Sequence, residues 1–283
     1  MIRPLIRANK WRSRKTQIVV FFIFLVSNIG GCLTPVGDPP LLMGFMRNVP
    51  FFWSLRLIPI MILNVAILLV IFYILDSRAY RKDLAEGIVP EAEKGEKAAI
   101  RVVGAHNIIF LAAIVVAVIL SGVLPSTKVF GGGIHIYGEV ELTYAALIEV
   151  VIILTAAFLS FKTTNKSVRE DNHFSWGAIQ EVAVLLIGIF ITMIPALLIL
   201  KAKGAELGLT QPWQMFWVTG AMSSFLDNTP TYLVFLTTAE LCATAGLQTS
   251  VGIVPQIMLE AISCGAVFMG ANTYIGNAPN FMV

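Results

Sequence analysis

Three short polar segments interrupt long apolar stretches of this sequence, and their residue types suit the binding of a cation. They cover residues 27–40, 223–231 and 270–280. Hydroxyl, amide and carboxylate oxygens are the ligands that hard cations prefer, so a Na⁺ site is one expectation. The candidate binding residues are Ser27, Asn28, Thr34, Asp38, Ser224, Asp227, Asn228, Thr229, Thr231, Asn272, Thr273 and Asn277.

The composition around these segments excludes a soluble fold. Of the 283 residues, 57% are hydrophobic and only 13% are charged, whereas soluble domains carry roughly 25% charged residues. The chain is therefore expected to be an integral membrane protein with the lipid bilayer as its main partner. Nothing in the clustered basic residues points to nucleic acid. The three cysteines have no zinc or redox spacing, and no cofactor is expected.

Seven apolar runs are long enough to be considered as spans, because a bilayer core about 30 Å thick needs about 20 helical residues. Continuous runs favour helices over alternating β-strands, so the fold class is an all-α polytopic membrane protein. The runs are Ile18–Gly37, Leu57–Leu75, Val102–Leu124, Leu142–Phe161, Ile179–Leu200, Trp213–Ala239 and Leu241–Leu259.

Loop charges predict the orientation of these runs, since Lys and Arg concentrate on the cytoplasmic side. Residues 1–16 and 76–101 each carry six Lys or Arg, and 162–178 carries three, whereas the alternate loops are poorer. The N-terminus, the charged linker 76–101 and the loop 162–178 are therefore expected inside. We expect a multi-pass protein of a bacterial inner membrane.

The first two polar segments predict a broken helix and a re-entrant hairpin. Three glycines and three prolines lie in residues 27–40, and such a composition interrupts an α-helix. The alternative is that the helix simply ends near Gly30 and a surface loop follows. Residues 223–231 divide the run Trp213–Ala239 into two pieces too short to cross a membrane. A re-entrant hairpin with a polar tip fits that length.

The first and third polar segments share the pattern G-x-x-T-x-[VI]-G-[DN]-x-P at a constant offset of 239 residues. It begins at Gly31 in one copy and at Gly270 in the other. The charge count gives the two copies opposite directions across the membrane. Inverted repeats with broken helices at matching positions are typical of secondary transporters that bind substrate near the bilayer midplane.

Coupling to protons requires a group that can hold a proton, and a carboxyl group inside a membrane is a functional candidate by default. Asp227 is the first choice because it lies at a helix break. Asp38 is the second, with a turn or helix-cap role in Gly-Asp-Pro-Pro as its equal alternative. Glu149 is a further candidate, unless it pairs with a polar group such as Asn107. Glu260 is the fourth.

At the segments SNIGGCLTPVGDPP, SSFLDNTPTY and GANTYIGNAPN the chain resembles the ion transporter superfamily of citrate, arsenite and sodium–proton antiporter permeases. It is most similar to the sodium:proton antiporter/citrate-transporter-like branch. The resemblance implies two inverted repeats whose hairpin tips and broken helices form one site, and homodimers are usual there. The family's first repeat has its own hairpin, so the resemblance predicts a chain truncated at both ends.

Under this resemblance the chain divides into a basic segment, the end of a first repeat, a linker and most of a second repeat. The second repeat would contain three spans, the re-entrant hairpin and a broken helix. The boundaries are 1–16, 17–75, 76–101 and 102–283, with the hairpin at 213–245 and the broken helix at 250–283.

The leading functional hypothesis is Na⁺/H⁺ antiport, in which Na⁺ and H⁺ compete for one buried carboxylate. The main alternative is a proton- or sodium-coupled citrate or dicarboxylate transporter. An inactive fragment is a remote alternative. An intramembrane aspartyl protease would need Asp38 and Asp227 as a dyad, but Asp38 follows Pro-Val-Gly and not the Gly-x-Gly of such enzymes. The sequence therefore predicts a transporter and not an enzyme.

Overall fold

A computed structural model describes residues 2–88, 103–124, 132–137, 140–171, 174–240, 245–250, 252–277 and 280. The chain forms two compact units. The first contains Met1–Gly95 and Glu181–Val283, and the second contains Glu96–Gln180.

The described N-terminal part of the first unit contains four helices, and the break before the third falls where glycine and proline are concentrated. Its helices are α1 (Ile2–Ala8), α2 (Thr16–Phe22), α3 (Pro39–Met46) and α4 (Ile58–Ala85). A π-helical turn (Ile23–Asn28) and a 3₁₀ segment (Ile29–Leu33) continue α2, and a second 3₁₀ segment (Phe51–Leu57) leads into α4.

The second unit pairs two helices and a short hairpin. Helices α5 and α6 pack against each other, and Asn107 at the start of α5 accepts a hydrogen bond from Ser160 on α6 at 2.6 Å. The elements are α5 (Asn107–Val123), β1 (Gly133–Tyr137), β2 (Val140–Thr143), α6 (Tyr144–Thr163) and α7 (Lys166–Asp171). Strands β1 and β2 are antiparallel, with Gly133 opposite Thr143.

The C-terminal part of the chain begins with α8 (Gly177–Lys203), which carries Pro195 in its interior. It continues with α9 (Pro212–Phe225), α10 (Asn228–Glu240), β3 (Leu247–Gln248), β4 (Ile253–Val254) and α11 (Gln256–Met269). A last 3₁₀ segment covers Gly270–Asn272.

Helix α11 lies at the centre of the first unit, in contact with α3, α9 and α10. Its middle residues are buried, and small ones allow the closest approach. A Cβ on Gly265 would lie 2.6 Å from the carbonyl oxygen of Phe216 on α9. Small residues at such crossings let helix backbones meet in a membrane, where dispersion contacts replace the hydrophobic effect.

Within the described residues, three helical stretches are long and apolar enough to cross a membrane: Thr16–Leu33, Phe51–Ala85 and Tyr144–Thr163. They overlap the predicted runs Ile18–Gly37, Leu57–Leu75 and Leu142–Phe161. Helix α5 is shorter and apolar, and α8 covers the predicted run Ile179–Leu200.

The last of the seven apolar runs does not form a single span. The run Leu241–Leu259 is not one helix, because strands β3 and β4 pair there and α11 begins only at Gln256. Gly252, at a φ of 136°, provides the turn between these strands.

An ionic clamp formed by Arg12, Arg14, Asp76, Asp83 and Glu86 joins the segment before α2 to the end of α4. Arg12 lies 2.8 Å from Asp76, and Arg14 lies 2.9 Å from Asp83. Asp83 is fully buried and Arg12 is 4% exposed. The hydrogen bond from Arg14 holds the pKa of Glu86 below its usual range. That pair is therefore lost only when the pH falls through the lowered pKa.

We expect Asp83→Asn to destabilise the protein by about 3 kcal/mol, because it removes the buried carboxylate that Arg12 and Arg14 share and leaves them only the more exposed Asp76 and Glu86. Thermal unfolding in detergent micelles measures the change. Glu86→Gln is the matched control, since Glu86 also pairs with Arg14 but is exposed. Equal melting temperatures for Asp83→Asn and the wild type would show that the clamp does not stabilise the fold.

Candidate functional site

The first broken helix stops through two successive changes of helix type. The π-helical turn Ile23–Asn28 ends with a buried asparagine whose Nδ2 donates to the carbonyl oxygen of Ile23 at 2.8 Å. Such turns often occur at functional sites. The 3₁₀ segment then ends at Thr34, which is extended (φ −144°, ψ 153°). The chain reaches Asp38 directly before α3.

The second broken helix repeats this order. Helix α11 passes into the 3₁₀ segment Gly270–Asn272, and Thr273 is extended (φ −132°, ψ 164°). Asn277 follows at the position that Asp38 occupies in the first motif copy. The two copies of the sequence motif therefore have the same local structure.

Close backbone contacts explain two of the matching glycines. A Cβ on Gly37 would lie 2.5 Å from the carbonyl oxygen of Gly31. In the other copy, a Cβ on Gly276 would overlap the carbonyl oxygen of Gly270 and lie 2.6 Å from that of Ser223. Any larger residue would distort the loop that carries Asp38 in the first copy or Asn277 in the second.

One carboxylate and four amides meet in an Asp–Asn cluster, which we define as Asn28, Asp38, Asn228, Asn277 and Asn280. None of these side chains is more than 6% exposed. Asn277 Nδ2 donates to Asp38 Oδ1 and to Asn28 Oδ1, both at 2.9 Å. Asn228 Nδ2 lies 3.4 Å from Asp38 Oδ2, and Asn28 Nδ2 donates to Asn280 Oδ1 at 2.6 Å. Both broken helices and α10 thus contribute to one buried polar centre.

Asp38 is the acidic member of this cluster and is 1% exposed. Its hydrogen-bond donors are amides, and no Lys or Arg of the described residues forms an ion pair with it. Burying a carboxylate without a cationic partner costs far more than amide hydrogen bonds return. A bound cation or a proton would remove that cost.

A second feature of the cluster also favours a cation. Asn277 Oδ1 is buried and has no hydrogen-bond donor within the described part of the chain. An unpaired buried acceptor destabilises the folded state. A positively charged ion placed near Asp38 and Asn277 would satisfy this oxygen as well as the carboxylate.

Two helices begin at the cluster. Asp38 precedes α3 directly, and Asn228 is the first residue of α10. Helices α3 and α10 also contact each other. The N-terminus of a helix carries a partial positive charge, which stabilises anions. The first backbone N–H groups of these two helices are missing at proline or already bonded, as at Asn228 and Thr229. The site therefore combines groups for a cation with helix ends that favour negative charge.

The two candidate aspartates have different hydrogen-bond partners. Asp227, the first choice, is half-buried, and its Oδ1 accepts a hydrogen bond from the backbone N–H of Thr229 at 2.9 Å. It therefore caps the start of α10. Asp38, for which a cap was the alternative, forms no side-chain capping bond to α3. Asp38 is nevertheless the N-cap residue of α3, and its carboxylate accepts hydrogen bonds within the cluster instead.

Most of the other predicted residues lie close to the cluster but bind protein groups. Thr231 Oγ1 donates to Asp227 O, and Thr229 Oγ1 lies 3.4 Å from Asn228 Oδ1. Ser224 accepts from Asn272 Nδ2 at 2.8 Å, and Thr273 Oγ1 donates to Ser224 O. These bonds fix the second broken helix against the turn between α9 and α10.

Ser27 and Thr34 lie on the first broken helix, on either side of the 3₁₀ segment. Ser27 precedes Asn28 directly, and the carbonyl oxygen of Thr34 accepts the N–H of Gly37 at 2.9 Å. Among the described residues, neither side chain hydrogen-bonds to the Asp–Asn cluster. Their place as ligands stays a prediction.

Two predicted carboxylates have other surroundings. Glu149 lies on α6 in the second unit, and the suggested pairing with Asn107 is wrong. Asn107 instead contacts Ser160 and Thr164. Glu260 on α11 pairs with Arg56 at 3.1 Å, where both side chains are partly exposed. The ion pair with Arg56 directs the Glu260 carboxylate to a partner outside the Asp–Asn cluster.

Asn280 is a cluster member that is not among the binding residues predicted from the sequence. Its Nδ2 donates to the carbonyl oxygens of Gly270 and Thr273, at 2.8 and 2.9 Å, so it closes the second broken-helix loop. The signal was present, because Asn280 ends the third polar segment. It falls outside the repeated pattern, which stops at Pro279.

A cavity of about 280 Å³ lies beside both broken helices. Its walls come from the π-helical turn, α4, α9 and the end of α11. Two amides, Asn64 and Asn272, face it among mainly apolar and aromatic side chains. The lining residues are Phe24, Ile29, Asn64, Leu68, Phe216, Trp217, Phe268, Met269 and Asn272.

Comparison with known proteins identifies a family. No curated protein and no solved structure matches the chain. A family described as "putative citrate transport" matches residues 1–283. Together with the apolar helices, this match identifies a membrane transporter and not an enzyme. The chain belongs to this putative citrate transport family.

Proposed function

We propose that the protein is a secondary transporter that moves citrate across a membrane together with a cation, H⁺ or Na⁺. The family match supports citrate as the substrate. The Asp–Asn cluster is the proposed site of the coupling cation, with Asp38 as its only charged group.

The burial of Asp38 without a cationic partner is the observation that carries this proposal. A carboxylate inside a membrane protein is costly and normally marks an ion pathway or a proton relay. In this cluster a proton or Na⁺ would neutralise Asp38, and the Oδ1 of Asn277 offers a further ligand for Na⁺. The bound cation then reduces the repulsion between the site and an incoming anion.

The N-termini of α3 and α10 are the proposed contact for citrate. They meet at the cluster through Asp38 and Asn228, and the partial positive charge of a helix N-terminus attracts carboxylates. No buried Arg or Lys contacts the cluster among the described residues. Arg56, which is 53% exposed, pairs with Glu260 instead. Citrate would therefore depend on the coupling cation for charge compensation.

The matching local structures of the two motif copies support an inverted repeat, with α9 and α10 as a re-entrant hairpin. In such transporters the two repeats move relative to each other around a fixed central site. We further propose a cytoplasmic N-terminus, a bacterial inner membrane and a homodimer. The orientation rests on the loop charges, and the dimer on the resemblance.

Na⁺/H⁺ antiport is the second candidate, and one observation favours it. The cluster consists of amides and a carboxylate, which bind cations. None of the described residues brings to it the basic side chains that usually bind multivalent anions. In this case Na⁺ and H⁺ would alternate at Asp38 and citrate would have no role.

Radiolabelled citrate uptake into proteoliposomes tests the two candidates. We expect an imposed inward gradient of H⁺ or Na⁺ to drive concentrative citrate uptake, and liposomes without protein to show none. One arm imposes a pH gradient and the other a Na⁺ gradient, which identifies the cation. Na⁺-driven proton flux without citrate, together with no citrate uptake in either arm, would replace citrate transport by antiport.

A further inference from the structure

The two motif copies touch each other at equivalent positions. Asp38 and Asn277 are separated by the repeat offset of 239 residues, and Asn277 Nδ2 donates to Asp38 Oδ1 at 2.9 Å. Both follow a glycine that closes its own loop, Gly37 or Gly276. Both side chains are buried, at 1% and 0% exposure.

Contact between equivalent positions has a geometric meaning. When two copies are related by a two-fold axis, a contact of residue i in one copy with residue j in the other is matched by the reverse contact. A residue that lies on the axis therefore contacts the equivalent residue of the other copy. Two copies related only by a shift along the chain direction have no reason to meet in this way. The contact therefore supports a local two-fold axis between Asp38 and Asn277.

Asp and Asn have nearly the same shape and differ in charge. We propose that Asn277 sets the charge of the site: it is the neutral half of a pair in which either position can carry the carboxylate, and it limits the site to one coupling cation. This inference rests on the proposed function of Asp38. It adds that the two positions are interchangeable and that the amide at 277 determines how many cations bind.

The hydrogen bonds around Asp38 and Asn277 predict how much activity remains when the two residues are exchanged. In the double variant Asp38→Asn with Asn277→Asp, the amide at position 38 could donate to the carboxylate at position 277, so the central hydrogen bond is kept. The hydrogen bond from position 277 to Asn28 Oδ1 is lost, because a carboxylate cannot donate. One lost hydrogen bond corresponds to a loss of about five- to ten-fold in activity.

The test compares the wild type, Asp38→Asn, Asn277→Asp and the double variant in proteoliposomes. We expect Asp38→Asn to reduce cation-driven citrate uptake by about 100-fold, and the double variant to recover to within about ten-fold of the wild type. A double variant that is monodisperse and folded but as inactive as Asp38→Asn would overturn the interchangeability of the two positions.

The single variant Asn277→Asp gives an answer even if the double variant does not fold. Two carboxylates in contact cannot both remain charged, so the pair holds an additional cation. We expect more cations to enter per citrate than in the wild type. An unchanged cation-to-citrate ratio would overturn the role of Asn277.

Failure of the inference can be separated from failure of the proposed function. If the wild type does not transport citrate, stabilisation of the purified proteins by H⁺ or Na⁺ still reports on the pair. The melting temperature of the wild type and of the double variant should rise more with the cation than that of Asp38→Asn, which keeps only the pH dependence of other groups such as Glu86. Cation-driven uptake retained by Asp38→Asn would instead remove Asp38 from the proposed function and leave no charge for Asn277 to complement.

Discussion

Replacing Asp38 by asparagine is expected to reduce cation-driven citrate uptake by about 100-fold. The substitution keeps the shape of the side chain but removes the only negative charge of the Asp–Asn cluster. A charge-assisted contact contributes about 1.5–3 kcal/mol, and about 1.4 kcal/mol corresponds to a factor of ten. Initial rates of radiolabelled citrate uptake under an imposed gradient measure the loss.

Asp227→Asn is the comparison for this experiment. Asn caps a helix about as well as Asp, and the bond from Thr229 N to position 227 can persist. We expect uptake within about three-fold of the wild type, the scale of a slightly weakened cap. If Asp227→Asn were inactive and Asp38→Asn active, the coupling role would return to Asp227.

The second large effect is expected from Gly276→Ala. The added Cβ would overlap the carbonyl oxygen of Gly270 and lie 2.6 Å from that of Ser223. Both neighbours are backbone atoms of the site, so relief requires the second broken helix to move. Overpacking typically costs about 1–3 kcal/mol and occasionally more. We expect a lower melting temperature and loss of uptake.

Gly188→Ala provides the matched control. Gly188 lies in α8, and a Cβ placed there meets no atom within 4 Å. Alanine is also the better helix former by about 1 kcal/mol, so the variant should be as stable as the wild type or more so. A normal melting temperature and normal uptake for Gly276→Ala would mean that Gly276 does not pack closely against Gly270 and Ser223.

The positions of the helix breaks could be predicted because glycine and proline act locally. Gly30, Gly31 and Pro35 interrupt the first helix close to where their types require it. The repeated pattern also predicted the equivalence of the two loops, since its glycines serve the same backbone contact in each copy.

The sequence could not show which carboxyl group is buried without a cationic partner, because that depends on contacts between distant parts of the chain. Asp38 meets Asn228 and Asn277 at separations of 190 and 239 residues. Asp227 has the more suggestive local sequence, but its partner is the backbone two residues away. Local patterns identify capping residues and polar segments, whereas burial decides which charge lacks a partner.

The ionic clamp at the end of α4 could not be predicted from the sequence either, because its partners are also far apart along the chain. Residues 1–16 were interpreted as a basic segment, and the acidic residues of 76–101 as part of a solvated linker. Arg12 and Arg14 instead reach Asp76 and Asp83, at separations of 64 and 69 positions. Charge counts predict orientation, but they do not show which charges pair.

The most direct test of the account is the number of cations that enter with each citrate. Proteoliposomes containing wild-type protein or Asp38→Asn are given labelled citrate while proton entry is followed with a pH-sensitive dye and Na⁺ entry with radioactive Na⁺. If Asp38 carries the coupling cation, citrate will cause the entry of one cation species into wild-type vesicles and none into Asp38→Asn vesicles. Citrate-dependent cation entry of wild-type size in Asp38→Asn would contradict it.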